Sequence, residues 1–353
     1  MVSETEYNLI LNFDFNTKGH TQWYYFKIIS KLPAGTTLRF QILNLMKTDS
    51  LYNYGMKPWV LSEKHRESTG IDWHRDGDDI SYKVNSIIRN KHMIPHDADK
   101  SKLKRIARYF YTLSFTYTLK YDEDVVYFAH SIPYNYSDHL IPFLDKISIN
   151  SEYNEFLRIG TLCHTFAGND WKMITITDNV KFYRTANEEI TWMAKSQAAR
   201  RLIRLKIGQK SISSTLSFKR KTNKQRKYER YLRRMAKCHN HKKGIVITAR
   251  VHPGEAQASW IWQGLIEFLI SDDPEAVAIR KQFIVKIIPM LNPDGVIYGN
   301  YRCSLLGFDL NRRWVDPSRY YEPWIYYTKK LISVFKEERD IQLYWDIHGH
   351  SRK

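Results

Sequence analysis

Gly244-Ile245-Val246-Ile247-Thr248-Ala249-Arg250-Val251-His252-Pro253-Gly254-Glu255 joins a short apolar run to a turn, and a helical stretch follows from about Ala256 to Ile270. An apolar run without alternation suits a strand buried on both faces, as in a parallel sheet. Two further runs of this kind follow, from Phe283 to Leu291 and from Ile341 to Ile347. The first of them ends in the turn-forming Asn292-Pro293-Asp294-Gly295. Between the two, Ile325, Leu331, Ile332 and Phe335 supply the buried face of a helix over about 323–339. Strand, helix, strand, helix, strand predicts an α/β domain over 244–353.

Upstream the periodicity changes to two. Tyr111, Leu113, Phe115, Tyr117, Leu119 and Tyr121 alternate with Thr112, Ser114, Thr116, Thr118 and Lys120, which predicts a half-buried strand. Leu38, Phe40 and Ile42 alternate with Arg39 and Gln41 in the same way. The runs from Trp23 to Ile28 and from Val125 to Phe128 are β-rich in composition. Turn residues at Asn16-Thr17-Lys18-Gly19 and Pro33-Ala34-Gly35 separate such runs. The expectation is an N-terminal antiparallel β-sandwich over 1–180, then a linker or insertion over 181–243.

That linker holds the charge. The net charge is +18, and Lys195–Lys243 alone contributes 18 basic residues against one acidic residue, Glu229. The rest of the chain is nearly neutral, so this is one basic segment on a balanced protein. It suits an acidic partner, and equally a solvated insertion with no partner of its own. Its few aromatics, Phe218, Tyr228 and Tyr231, disfavour a single-stranded nucleic-acid platform. With 43% hydrophobic and 14% aromatic residues the 353-residue chain has enough apolar material for a core, which excludes general disorder. The most apolar helical stretch, Trp260 to Ile270, is interrupted by Gln263 and Glu267 and is too short to span a bilayer. No membrane association is expected. Residues 1–6 have neither a basic nor an apolar segment of a secretory signal, and Cys163, Cys238 and Cys303 are too few and too scattered for a disulfide framework. A cytoplasmic, reducing setting is the expectation.

His252 and Glu255 stand three apart where a strand gives way to a helix. A catalytic zinc takes three protein ligands and leaves a position open, and two histidines with a glutamate are a recognised set. Spacing alone carries little weight, because an acidic residue near a helix N-terminus is favoured by the dipole in any case. His348, at the end of another apolar strand, is a candidate third ligand, since sites in open α/β sheets form beyond the carboxyl ends of strands. His350 is its rival by the period of two. Cys238-His239-Asn240-His241 lacks a partner cluster and reads as exposed linker.

An ordered series of motifs resembles the cytosolic carboxypeptidases, relatives of carboxypeptidase A. Ala249-Arg250-Val251-His252-Pro253-Gly254-Glu255 is similar to their zinc motif. Met290-Leu291-Asn292-Pro293-Asp294-Gly295-Val296, Gly299-Asn300-Tyr301-Arg302-Cys303-Ser304, Asp309-Leu310-Asn311-Arg312 and 346–353 continue the likeness. Gly19-His20-Thr21-Gln22-Trp23, Asn44-Leu45-Met46-Lys47 and Tyr52-Asn53-Tyr54-Gly55-Met56-Lys57-Pro58 resemble the β-sandwich that precedes the catalytic domain in that family.

The resemblance implies an α/β zinc carboxypeptidase domain over 244–353, with one zinc held by His252, Glu255 and His348. It implies that Asp309 orients a zinc histidine, that Asn311 and Arg312 capture the substrate's terminal carboxylate, and that Arg302 stabilises the developing oxyanion. The implied activity is removal of C-terminal residues, glutamates above all, from acidic protein tails such as those of tubulin. Tubulin or other proteins with acidic C-terminal tails are the implied partners. Arg313 has no assigned role. The family's general-base glutamate and a substrate-contacting tyrosine come after the second zinc histidine, whereas five residues follow His348 here. The expectation is therefore an incomplete gene product, truncated on the C-terminal side of the catalytic domain. The alternative is a noncatalytic tubulin- or microtubule-binding protein.

Overall fold

The computed structural model describes residues 3–89, 109–183 and 242–349. The basic segment up to His241, the Cys238–His241 cluster and His350 lie outside the described residues.

Eight strands make the N-terminal part: β1 (Glu6–Leu9), β2 (Tyr25–Ile29), β3 (Thr37–Leu45), β4 (Trp59–Ser62), β5 (His74–Arg75), β6 (Asp78–Ile88), β7 (Tyr109–Thr118) and β8 (Val125–Ala129). They form two four-stranded sheets, ordered β1-β3-β7-β6 and β2-β8-β4-β5. All pairings are antiparallel except β1 with β3. The period-two reading of β3 and β7 holds: Leu38, Phe40, Ile42, Leu113, Phe115 and Tyr117 are buried between the sheets. Their partners across the core are Val126 and Phe128, and the Phe40 and Phe128 rings sit 4.9 Å apart. Each such buried side chain contributes about 1.5–3 kcal/mol relative to exposure. β7 ends at Thr118, yet Leu119 stays buried. A short helix, α1 (Glu63–Thr69), is capped by Ser62, whose hydroxyl accepts from the His65 amide.

The sandwich stops near Ala129, short of the expected boundary at 180. Beyond it come α2 (Ile141–Ser148) and a hairpin of β9 (Leu157–His164) and β10 (Asp170–Ile176). That hairpin joins β11 (Lys243–Ala249), β12 (Phe283–Ile288) and β13 (Ile341–Ile347) in one five-stranded sheet ordered β13-β11-β12-β10-β9. The physical reason lies in two-sided burial. Ile174 and Ile176 of β10 pack into one core while Trp171 and Met173 pack into another on the opposite face. A sandwich strand has one wet face; this one has none.

β11 runs parallel to both β12 and β13, and β10 runs antiparallel to β12. The sheet is therefore mixed. Four helices accompany its last strands: α3 (Ala256–Leu269), α4 (Pro274–Gln282), α5 (Pro293–Ile297) and α6 (Pro323–Glu338). α3 packs Ala258, Trp262, Ile266 and Leu269 against one face of the sheet, whereas α6 packs Trp324, Ile325, Leu331 and Val334 into the core on the other. The Asn292-Pro293-Asp294-Gly295 turn is an interior bracket. Asn292 accepts from the Gly295 amide, and buried Asp294 accepts from Thr165, Asn169 and the Ala167 amide. Among the described residues β13 is a sheet edge, and its Leu343, Tyr344 and Trp345 are exposed. No described helix is long and apolar enough to cross a membrane.

Candidate metal centre

The register of the sheet brings the site together. Thr248 pairs with Asp346 and Ala249 with Ile347, so β11 and β13 end side by side. His348 follows one strand; the turn carrying His252 and Glu255 follows the other. Oε1 of Glu255 lies 2.8 Å from Nδ1 of His252, and Oε2 lies 3.2 Å from Nδ1 of His348. The three donor atoms lie within 4.8 Å of one another.

Each imidazole turns its other nitrogen to a second carboxylate. Nε2 of His252 is 3.2 Å from Asp309, and Nε2 of His348 is 2.7 Å from Asp346. Thr248 in turn donates to the other oxygen of Asp346 at 2.7 Å. This outer ring fixes each imidazole's orientation and leaves Nδ1 facing the centre, the arrangement found around metal-binding histidines. Two imidazole nitrogens and one carboxylate oxygen are a donor set that suits zinc, with a coordination position to spare. The residues present fit that ion.

Electrostatics follow from the same contacts. Burial works to lower the His252 pKa, yet its hydrogen bonds with Asp309 and Glu255 leave it raised. Hydrogen bonds with Asp346 and then Glu255 hold His348 up at about 10. Burial opposes ionisation of Glu255, but both histidines and the Gly349 amide bring it down to about 2. Asp309 is held well below the usual carboxylate range, since His252 and Arg302 outweigh its burial.

Asp309 connects the remaining expected residues. Its Oδ2 accepts from Nε and Nη2 of Arg302, each at 2.8 Å. Its Oδ1 accepts from the Asn311 amide at 3.0 Å and so starts the 3₁₀ turn Leu310–Arg312. Asn311 is half-buried and Arg312 is exposed. Arg312 has no carboxylate partner among the described residues, whereas Arg313 pairs with Glu322 and covers the Phe308 ring. Arg313 thus has a packing role.

Four contributors escaped the sequence reading. Asp346 opens the last of the family-like motifs, and its signal is the period of two along β13, which puts it on the His348 side. Arg250 is fully buried in a left-handed conformation (φ 58°). Its guanidinium donates to the Pro253 carbonyl, the Tyr134 carbonyl and the Ser259 hydroxyl, which fixes the shape of the His252–Glu255 turn. Burial lowers its pKa to about 9. Asp14, from the loop before β2, accepts from the backbone amides of Tyr301, Arg302 and Cys303 at 2.6–2.7 Å. Gly254 completes the clamp: its amide donates to the Tyr301 carbonyl, and a Cβ there would sit 2.7 Å from the Tyr301 ring. Neither long-range contact leaves a mark in local sequence.

The sequence model of the zinc carboxypeptidase family matches residues 143–352. The chain is 37% identical over 348 residues to cytosolic carboxypeptidase 2 of Xenopus tropicalis, covering 99% of this chain and 29% of that protein. It is 36% identical over 352 residues to cytosolic carboxypeptidase 3 of Mus musculus, covering 100% of this chain and 28% of that one. Thus it spans under a third of the length of these relatives. Its fold resembles a metallo-carboxypeptidase of Burkholderia cenocepacia, with TM-score 0.60 and 18% identity, over 97% of this chain and 64% of that one. A metallo-carboxypeptidase of Pseudomonas aeruginosa gives TM-score 0.58 and 19% identity, over 99% and 66%. By the family match over most of its α/β part, this chain belongs to the zinc carboxypeptidase family.

Proposed function

We propose that the protein is a zinc-dependent carboxypeptidase, with one zinc per chain, that removes C-terminal glutamates from acidic protein tails such as those of tubulin, in the cytoplasm. One observation carries the metal-centred part: two Nδ1 atoms converge on one carboxylate while both Nε2 atoms are held by others. Bound zinc would supply a Lewis acid for the scissile carbonyl and would acidify water.

The chain's own residues would do the rest. His252, Glu255 and His348 would hold the ion, with Asp309 and Asp346 keeping both imidazoles turned inward. Arg312, exposed and without a carboxylate partner among the described residues, suits a terminal carboxylate, which its planar fork meets with two hydrogen bonds. Asn311, next to it on the same turn, would add a side-chain amide. Arg302, tied to Asp309, would present its guanidinium to the oxyanion that develops in the transition state. The basic stretch Lys195–Lys243 and the relatives' name support an acidic substrate and a cytosolic setting.

The second reading is a noncatalytic binder of tubulin or microtubules. It is favoured by the commitment of all three carboxylates at the centre: Glu255 to the histidines, Asp309 to His252 and Arg302, Asp346 to His348 and Thr248. None of these three described carboxylates is left to relay protons in general acid–base catalysis. The test is glutamate release from peptides with C-terminal glutamate runs, using full-length protein loaded with zinc. Release that stops with a chelator and returns with zinc supports the peptidase. Tight binding of the same peptides without release supports the binder.

A further inference from the structure

The β-sandwich reaches the metal centre with a cation of its own. Lys47 follows the last residue of β3 by two positions, and its ammonium lies 5.7 Å from the centre of the Tyr301 ring. Tyr301 is no ordinary neighbour. It directly precedes Arg302, its carbonyl accepts from the Gly254 amide, and Asp14 holds its own amide. Lys47 thus stands beside the loop that joins the metal turn to Arg302.

The backbone under Lys47 is held on several sides. Its carbonyl accepts from the Tyr82 hydroxyl at 2.6 Å, and the Met46 carbonyl accepts from Arg89. The Asn44 carbonyl accepts from Thr21, while the Asn44 side chain bonds both polar groups of the Leu11 backbone. The clamped stem removes backbone ordering from the cost of meeting a ligand, so only the side chain itself has to be ordered.

Its ammonium, in contrast, has no polar partner among the described residues. Among the described residues Lys47 Nζ has neither a hydrogen-bond acceptor nor a carboxylate within ion-pair distance, although the residue is half-buried. The contact with the ring face is electrostatic and uses no N–H in a hydrogen bond, which leaves three donors unused. Arg302 and Glu255 of the metal centre both act on its charge.

We propose that Lys47 is a specificity-determining residue that pairs with an acidic side chain of the substrate, one residue before the C-terminal one. The inference rests on the carboxypeptidase reading above and adds a second carboxylate contact to it. With Arg312 engaged by the terminal carboxylate, a second acidic group on the sandwich side of Arg302 would find the unused ammonium. Its residue would then be selected by charge rather than by size.

The experiment compares kcat/KM of the zinc-loaded full-length protein on two peptides that both end in glutamate. One has glutamate at the penultimate position and the other glutamine. A charge-assisted hydrogen bond predicts a preference for glutamate of about tenfold to a hundredfold. In Lys47→Met that ratio should fall to within about twofold of one, and in Lys47→Arg most of it should survive. Unfolding temperatures of both variants separate a loss of contact from a loss of fold. An unchanged ratio in Lys47→Met overturns the proposal, as does an equal loss on both peptides, which would make Lys47 a support for the Tyr301 loop. A wild-type protein that does not distinguish the peptides overturns it too. Absence of any C-terminal release would instead refute the peptidase reading, and this inference with it.

Discussion

Glu255 is the N-cap residue of helix α3, yet it caps none of the helix's amides; its Oε1 lies 2.8 Å from Nδ1 of His252. An acidic N-cap side chain that accepts from the first turn stabilises a helix by about 1 kcal/mol. Here the carboxylate is turned away from that use and toward two imidazoles. A local rule broken at one residue, beside a buried left-handed arginine, marks the place where the fold serves a site rather than itself.

The outer carboxylates should matter to the metal although they do not touch it. Asp346→Asn and Asp309→Asn keep the shape but weaken the acceptor opposite each Nε2. Each is expected to lower zinc affinity about 10–100-fold, measured by competition with a chromophoric chelator. Wild-type affinity in both variants would mean that the imidazoles are oriented by something else.

Protonation sets a second expectation. In the metal-free protein Glu255 is lowered from 4.5 to about 2, so its contribution to stability is present above pH 4.5 and is lost as pH falls toward 2. His348 is raised from 6.5 to about 10, so its contribution is full below pH 6.5 and is lost as pH rises through 10. From this site, stability without metal should be greatest between about pH 4.5 and 6.5. Zinc needs both imidazoles neutral, so its uptake at pH 7 should release protons. Calorimetry in buffers of different ionisation enthalpy measures that release; zero release would contradict the assigned protonation.

Asp14 joins the two halves of the molecule. Removing its carboxylate leaves the amides of Tyr301, Arg302 and Cys303 without their acceptor. Asp14→Ala should therefore cost about 2–4 kcal/mol in urea unfolding, and Asp14→Asn less. A cost below about 0.5 kcal/mol would show that the loop finds other acceptors or water.

How much of this was legible in the sequence depended on whether the cause was local. The period of two in β3 and β7 and the apolar run of β11 reflect what each strand buries; β13 carries the same apolar signal although its Leu343, Tyr344 and Trp345 are exposed, and together these runs located both layers and the ends that carry His252 and His348. The expected boundary at 180 takes in the hairpin of β9 and β10, whose strand length and composition fit either sheet. Only its two-sided burial against separate cores tells them apart. The clamps of Asp14 on residues 301–303 and of Lys47 over Tyr301 span more than 250 positions, and no periodicity records such contacts. Arg302, Asn311 and Arg312 were readable only through the family resemblance.

Terminal-carboxylate capture predicts a paired loss. Arg312→Ala in the full-length protein should reduce kcat/KM by about tenfold or more, the effect of one charge-assisted contact. Amidating the peptide's C-terminus should cause a similar loss, and the two should not add. Full activity on the amidated peptide would remove Arg312 from this role.

The basic segment predicts salt sensitivity. If Lys195–Lys243 engages acidic tails, affinity for glutamate-rich peptides should fall steeply as the screening length drops from about 10 Å at 0.1 M salt to about 3 Å at 1 M. Deleting residues 195–241 should flatten that dependence while leaving zinc content unchanged. The same salt slope after deletion would leave the segment as a linker.

His252, Glu255 and His348 together should hold one zinc. Metal content of the full-length protein after dialysis, beside His252→Ala and His348→Ala variants that remain folded by circular dichroism, tests it most directly. One zinc per wild-type chain and little or none in either variant is the expected result. Stoichiometric zinc retained by both variants, or a wild-type protein that takes up none when zinc is supplied, would contradict it.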